Sequence, residues 1–220
     1  MIEGPTLVAD AVAAGVELVE VYAEPGAAVP AGVEALAVEP GTLASVTDAV
    51  TSQGVAAVAR LPQATLGDVP AGAPVLVCVG VADPGNAGTL LRSAEAAGFA
   101  AVVFTAGSVD PFAPKSVRAS AGSVLRIGIV KGGEAASVLD EVAATGRRRI
   151  ATRAAGATPH TDVALTRDVA VVLGNEAHGL APELDAHVDE WVSIAMAGRT
   201  ESLNVAMAGT LLCFEVLRRG

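Results

Sequence analysis

The chain has 220 residues, of which 52% are apolar and only 3% aromatic, and its formal net charge is −10. This length predicts one or two domains at roughly 150 residues each, and the abundant Val, Leu, Ile and Ala suit a parallel sheet covered by helices on both faces. The scarcity of aromatic residues argues against a stacking platform for single-stranded nucleic acid. With no bilayer-length apolar run and no signal-peptide pattern, we expect a cytoplasmic protein without membrane contact.

The charge is distributed unevenly along the chain. Residues 1–65 contain eight acids and one base, whereas residues 66–220 contain sixteen acids and thirteen bases. An acidic N-terminal part does not attract phosphates, which counts against nucleic acid unless bases cluster elsewhere. Cys78 and Cys213 each lie in an apolar run, so we expect two buried free thiols rather than a disulfide or a metal site.

The first 65 residues are predicted to form a small α/β domain. Pro5 marks a helix start and Gly15 lies just past its end, the usual asymmetry of helix termini. Strands are then predicted at residues 16–23, 33–39 and 54–61, and a short helix at 41–49. Residues 66–74, rich in Pro, Gly and small side chains, are predicted to be a linker.

Residues 75–220 alternate between short apolar runs and helical patterns. The strands are predicted at 75–81, 101–106, 125–130, 148–154, 169–174 and 191–196. The helices are predicted at 87–97, 114–121, 133–145, 182–188 and 203–219. This alternation favours a mostly parallel sheet with crossover helices.

Polar loops follow three of these strands, where an α/β sheet binds its ligands. They read "DPGNAGTLLRSAEAAG" from residue 83, "GNEAHGL" from 174 and "AGRTESLN" from 197. The dinucleotide pattern G-x-G-x-x-G and the Walker pattern are both missing, which disfavours a generic nucleotide-binding enzyme. The histidines show no metal-ligand spacing, so no metal site is predicted.

Several polar residues in these loops allow two interpretations. Asn86 suits either a helix N-cap or a functional site, and Arg92 suits either a surface pair with Glu95 or a phosphate-gripping guanidinium. Gly174 and Gly179 indicate either positive backbone φ angles or close approach to a flat ligand.

The segment before the last helix is also polar. Ser202 is a natural N-cap, whereas Asn204, one turn into the predicted helix, needs partners on the ligand or the preceding loop. Glu176 is positioned to accept hydrogen bonds. The run Arg147–Arg149 is interpreted as a solvated turn.

Taken together, these segments resemble the three motifs of the SpoU (TrmH-type) RNA ribose 2'-O-methyltransferases of the SPOUT superfamily. The matching stretches are "DPGNAGTLLRSAEAAGF", "VVLGNEAHGL" and "SIAMAGRTESLNVAMAGTLLCFE". The resemblance covers residues 75–220 almost continuously. It implies an α/β methyltransferase domain with a mostly parallel sheet, whose C-terminal segment is tucked through a loop to form a trefoil knot.

Residues 1–65 resemble the small RNA substrate-binding domain often fused to this family. Relatives carry a basic stretch and a full first strand before the Glu-Gly with which this chain almost begins, at Glu3. A misplaced start codon, a truncated chain and a reduced domain all stay open as explanations.

The resemblance also implies the cofactor and the residues around it. S-adenosylmethionine is expected in a pocket built from the last loops, without a metal. The residues expected to bind it are Thr152, Leu173, Gly174, Asn175, Gly179, Ile194, Met196, Ser202 and Leu203. The expected catalytic residues are Asn86, Arg92, Glu176, Ser202 and Asn204.

In this family a ribose 2'-hydroxyl of rRNA or tRNA displaces the methyl group from the sulfonium. Arg92 is expected to act as the base or as an electrostatic aid; we prefer the aid, because a guanidinium stays protonated. RNA contacts are expected at Lys115, Arg118 and Arg126, with Arg153 and Arg199 as further candidates. A homodimer is expected to complete the pocket, and the alternative function is a non-catalytic RNA-binding relative.

Overall fold

The computed structural model describes residues 1–47, 52–62 and 64–220. The last two residues of the predicted helix at 41–49 therefore lie outside the described residues. The chain folds as two compact units, Met1–Pro62 and Gln63–Gly220. No helix in the described part of the chain is both long and apolar enough to cross a membrane.

The first unit is a four-stranded sheet with two short helices. Its elements are β1 (Ile2–Glu3), α1 (Pro5–Ala13), β2 (Leu18–Ala23), β3 (Leu36–Ala37), α2 (Thr42–Val46) and β4 (Val55–Ala59). The strand order is β1-β4-β2-β3, with β4 antiparallel to both neighbours and β3 parallel to β2. Buried Val8 and Ala11 of α1 complete a core of small aliphatic side chains with Val21, Val55 and Ala57.

The predicted strand at 33–39 shortens to the two residues of β3. Pro30 and Pro40 bracket it, and proline cannot donate to a sheet ladder, so pairing stops within a few residues. Leu36 is left exposed at this edge of the sheet.

The second unit is built on a seven-stranded sheet. Its strands are β5 (Val75–Cys78), β6 (Ala101–Phe104), β7 (Gly128–Lys131), β8 (Arg148–Thr152), β9 (Thr158–Pro159), β10 (Val169–Leu173) and β11 (Glu190–Ser193). Its α-helices are α3 (Pro84–Ala96), α4 (Pro114–Ala119), α5 (Ala135–Ala144) and α6 (Val205–Arg219). The order is β7-β6-β5-β10-β8-β11-β9 and every pairing is parallel.

The predicted parallel sheet is confirmed, and the central strands explain it. Every residue of β5, β6 and β10 is buried, as expected for aliphatic strands covered by helices on both faces. Several details differ from the prediction. The strand predicted at 125–130 begins only at Gly128, because residues 123–125 form a 3-10 helix, and the strand predicted at 191–196 ends at Ser193. Residues 182–187 form a 3-10 helix rather than an α-helix, and the short strand β9 was not predicted because two residues carry no periodic signal.

Glycines let three helices of this unit approach one another closely. A Cβ added at Gly88 of α3 would lie 2.3 Å from the Cβ of Ala119 at the end of α4. A Cβ added at Gly209 of α6 would lie 2.3 Å from Cδ2 of Leu90 in α3. These contacts fix α3 and α6 against each other, and α3 carries the first polar loop of the sheet edge.

The interpretation of residues 147–149 as a solvated turn is wrong. Arg147 is only 3% exposed. Its guanidinium donates to the carbonyls of Ala73 and Pro70 and to the hydroxyl of Thr145, each at 2.7 Å. Burial lowers the pKa of Arg147, yet these acceptors satisfy its donors and anchor the segment before β5 to the second unit.

Candidate functional site

The polar loops after β5 and β10 meet at the carboxyl edge of the sheet. Asp83 caps α3 by accepting a hydrogen bond from the backbone N–H of Asn86 at 2.8 Å. The interpretation of Asn86 as the N-cap is therefore wrong. Asn86 lies in the first turn instead, where its side chain is free to reach across to other loops.

A hydrogen-bonded network joins three of the predicted catalytic residues. Asn86 Nδ2 donates to Glu176 Oε1 at 3.0 Å, and Asn204 Nδ2 donates to Asn86 Oδ1 at 3.0 Å. These residues are 90 and 118 positions apart in sequence, so the fold alone brings them together. We call Asn86, Glu176 and Asn204 the amide–carboxylate network.

Glu176 is held as a carboxylate within this network. Its two oxygens also accept the backbone N–H groups of Ala82 and Asp83, at 3.1 and 3.0 Å. Partial burial opposes ionisation, but the hydrogen bonds from Asn86 and from these backbone groups outweigh it, and the pKa of Glu176 is lowered. The carboxylate therefore orders the start of α3 at neutral pH.

The residues around Asn204 differ from the prediction in two respects. Helix α6 begins at Val205, and its N-cap is Asn204 rather than Ser202. Asn204 Oδ1 accepts the N–H groups of Ala206 and Met207, at 2.8 and 3.3 Å. Asn204 is also exposed rather than buried, because residues 200–204 are irregular and only the following residue enters the helix.

The loop "GNEAHGL" folds back on itself through its two glycines. Asn175 and Gly179 exchange both backbone hydrogen bonds, at 3.0 and 2.9 Å. Gly179 has a φ of +65°, whereas a Cβ at Gly174 would lie 2.3 Å from the carbonyl carbon of Gly179. Positive φ thus explains one glycine and close approach within the loop explains the other. Asn175 Nδ2 ties the loop to the carbonyl of Gly80 at 2.8 Å.

A pocket of about 420 Å³ opens beside this loop, a size in the range of small-molecule sites. It is lined by loop backbone, by apolar side chains such as Val205 and Ala208, and by the polar groups of Glu176 and His178. This mixture of apolar walls and few polar groups is typical of a site for a small organic molecule.

Most of the residues predicted to bind the cofactor surround this pocket. The members that line it are Thr152, Gly174, Asn175, Gly179, Ile194, Met196, Ser202 and Leu203. Leu173 is not among the lining residues and is fully buried in β10. Which of them contact a ligand stays a prediction.

Among the described residues, no hydrogen bond joins Arg92 to the amide–carboxylate network. Arg92 is exposed on α3, and within the described residues neither a hydrogen bond nor an ion pair engages its guanidinium. The alternative surface pair with Glu95 is wrong, because Arg126 takes that carboxylate at 2.9 Å. Among the described residues, Arg92 is thus a charged group without a partner.

The predicted RNA-contacting residues fall into two classes. Lys115 and Arg118 are exposed on α4, and none of the described groups pairs with either side chain. Arg126 instead donates two hydrogen bonds to Glu95, which lowers the pKa of that carboxyl. Of the further candidates, Arg153 is paired with Asp185 at 3.0 Å.

Sequence reasoning missed Trp191 as a pocket residue. Trp191 lines the pocket, and the guanidinium carbon of Arg153 lies 3.9 Å from the centroid of its ring. The one available signal was that this is the only tryptophan of the sequence. No group of three or more potential metal ligands is found among the described residues.

The chain is similar to known proteins over most of its length. A model of the SpoU rRNA Methylase family matches residues 73–214. The chain is 30% identical, over 98% of its length and 87% of the relative, to the 23S rRNA (guanosine(2553)-2'-O)-methyltransferase RlmP of Bacillus subtilis.

Solved structures are similar over nearly the whole chain. One is an RNA 2'-O ribose methyltransferase, with a TM-score of 0.84 and 32% identity over 99% of this chain and 87% of the other. Another is the SpoU methyltransferase AviRb from Streptomyces viridochromogenes in complex with AdoMet, with a TM-score of 0.86 and 27% identity over 99% and 88%.

Proposed function

Because the chain belongs to the SpoU rRNA methylase family, we propose that it transfers a methyl group from S-adenosylmethionine to a ribose 2'-hydroxyl of rRNA or tRNA. One observation carries the proposal: the amide–carboxylate network and the pocket are built from the same loops. Glu176 belongs to both. Such a site can hold the methyl donor in the apolar pocket and the ribose hydroxyl beside the polar network, and transfer requires that the two lie next to each other.

The pocket suits the cofactor by its chemistry. Apolar Ile194, Met196 and Leu203 offer contacts to a purine, while the backbone around Gly174 offers hydrogen bonds. When bound, S-adenosylmethionine supplies an electrophilic methyl group on a sulfonium. The pocket's own task is to exclude water and fix one orientation, which raises the rate by proximity.

The amide–carboxylate network positions rather than reacts. Glu176 accepts three hydrogen bonds from Asn86 and the backbone at the start of α3, and Asn204 orients the amide of Asn86. Ser202 lines the pocket beside this network, so we place its hydroxyl near the ribose. Glu176 takes up no proton: the proton of the 2'-hydroxyl would be released to water as the oxygen gains the methyl group, and S-adenosylhomocysteine would be the product that leaves.

Arg92 is the residue that we assign to the reacting oxygen. As a permanent cation it stabilises developing negative charge on the 2'-oxygen. Because Arg92 does not line the pocket of its own chain, we infer that it acts at the pocket of a second subunit.

A second subunit is supported by the exposed face of α6. Four large apolar side chains recur at helical spacing on this helix and stay 37–63% exposed, namely Met207, Leu211, Phe214 and Leu217. Such a stripe is typical of an interface. We therefore propose a homodimer that buries it.

RNA binding is assigned to the unpaired cations of the second unit. Lys115 and Arg118 share the exposed face of α4, and α3, which carries Arg92, packs against α4. Unpaired surface cations attract phosphates, whereas paired ones do so weakly.

Three further parts of the proposal rest on the family. We propose that residues 1–65 assist substrate binding and that residues 66–74 connect them to the second unit. We also propose that residues 75–220 form a knotted domain. The protein would then work in the cytoplasm, where it meets its RNA.

The test combines binding and transfer. Calorimetry with S-adenosylmethionine should show binding at one pocket per chain, and incubation with unmethylated rRNA and tRNA should yield 2'-O-methylated nucleotides. Absence of binding would reject the proposal. Binding of RNA and cofactor without transfer would identify a non-catalytic relative instead.

A further inference from the structure

Trp191 and Arg153 form a wall of the pocket that the amide–carboxylate network does not explain. Trp191 is half-buried and packs against the aliphatic core of the second unit. The guanidinium of Arg153 covers one face of the indole at 3.9 Å. Both side chains line the pocket.

This wall and the network belong to different strands of the sheet, in the order β5-β10-β8-β11. The network joins the loops after β5 and β10, whereas Arg153 follows β8 and Trp191 lies in β11. Since neighbouring strands are about 4.8 Å apart, β11 lies about 10 Å across the sheet from β10. Because Glu176 and Trp191 line the same pocket, a ligand that reacts beside the network and spans this distance reaches Trp191 with its other end.

Resting on the proposed function, we propose that Trp191 contacts the purine of the bound adenosyl group and that Arg153 is a positioning residue for the indole. A flat aromatic wall matches the flat purine, with which it gains dispersion and stacking contacts. Trp191 thereby selects for a nucleoside at this end of the pocket.

The charges around Arg153 argue against the competing assignment, in which its guanidinium would bind the carboxylate of the methionine part. Asp185 accepts a hydrogen bond from Arg153 at 3.0 Å. The guanidinium is therefore already paired with one carboxylate, and Asp185 would repel the carboxylate of the methionine part. Asp185 instead holds the guanidinium over the ring. A cation over an indole face is worth enough to restrict the ring's orientation.

The single tryptophan makes the proposal directly measurable. Selective excitation reports only Trp191, so S-adenosylhomocysteine and adenosine should each change its emission with saturation, whereas methionine should not. Trp191→Phe should abolish the signal while calorimetry still detects binding. A response to methionine but not to adenosine would overturn the assignment.

Arg153 is tested through the balance of KM and kcat. Arg153→Ala should raise KM for S-adenosylmethionine about threefold to tenfold and shift the emission of the free protein, with kcat retained. Arg153→Lys should recover part of this loss, because an ammonium also attracts the ring. Unchanged KM and emission in Arg153→Ala would refute the positioning role.

The same measurements on the wild-type protein separate this inference from the proposed function. If calorimetry detects binding of S-adenosylhomocysteine and the emission stays constant on saturation, only this inference fails. If nothing binds, the proposed function fails.

Discussion

In the second unit, the cations at strands β8 and β11 differ from those on helices α3 and α4 in whether they have an acidic partner. At β8 and β11, each arginine has an acidic partner: Arg148 pairs with Glu190, Arg149 with Asp189 and Arg153 with Asp185, at 2.7–3.0 Å. On α3 and α4, the cations carry no such partner among the described groups. These are Arg92, Lys115 and Arg118.

This difference separates cations that serve the fold from cations that serve a ligand. A carboxylate beside a guanidinium cancels most of its field at a distance, so a paired arginine attracts phosphate weakly. An unpaired cation keeps its field, which steers an anionic partner. In a chain of net charge −10, these uncompensated cations on the packed helices α3 and α4 are where we predict contact with RNA.

The largest effect is expected at Arg92. Arg92→Ala should lower the rate of methyl transfer about 100- to 1000-fold, as the loss of one group that stabilises an oxyanion typically does. Binding of S-adenosylmethionine should stay unchanged, since Arg92 does not line the pocket. Arg126→Ala is the matched control: its guanidinium is paired with Glu95, and its rate should fall far less.

Mixed dimers then locate Arg92. Arg92→Ala and Glu176→Ala homodimers should both be inactive, yet mixing and re-annealing the two should restore about a quarter of wild-type activity if Arg92 acts across the interface, since half of the dimers are mixed and each has one intact site. Inactive mixtures with proven subunit exchange would place Arg92 in the pocket of its own chain.

From the sequence, the residues of the network could be predicted to lie together, whereas the partners of the paired arginines could not be predicted. Asn86, Glu176 and Asn204 lie in short polar loops after buried strands, and strand ends of a parallel sheet meet at one edge. The partners of Arg147 and Arg126 are distant carbonyls and a carboxylate on another element, which no local pattern specifies. The N-cap of α6 was misplaced by two residues because Ser202 and Asn204 both suit that position.

The next effect concerns stability. Arg147→Ala should lower the free energy of unfolding by about 2–3 kcal/mol, because it removes three hydrogen bonds that a buried guanidinium donates. Chemical denaturation measures this change. Arg148→Ala, which removes a half-exposed partner of Glu190, is the control and should cost less than half as much. Equal losses would mean that burial of Arg147 adds nothing.

A smaller effect is expected in RNA affinity. Lys115→Ala and Arg118→Ala should each weaken RNA binding a few-fold and reduce the slope of log affinity against log salt by about 1. Lys131→Ala removes an exposed lysine that is paired with Asp110 at 3.3 Å, and should leave the slope nearly unchanged. Titrations at several salt concentrations distinguish the two. Equal slopes for all three variants would end the distinction between paired and unpaired cations.

The smallest effect is a pH dependence at the end of α6, where Arg218 and Arg219 share Glu215. Hydrogen bonds from Arg218, and further from Arg219, lower the pKa of Glu215 to about 2 against partial burial. A lowered pKa means that the stabilisation is complete above the ordinary value of 4.5 and is lost as the pH falls toward 2. Glu215→Gln should therefore cost about 0.5 kcal/mol at pH 7, and its difference from wild type in denaturation should vanish near pH 2. A difference that persists at that pH would show that packing of the side chain, rather than its charge, stabilises the helix end.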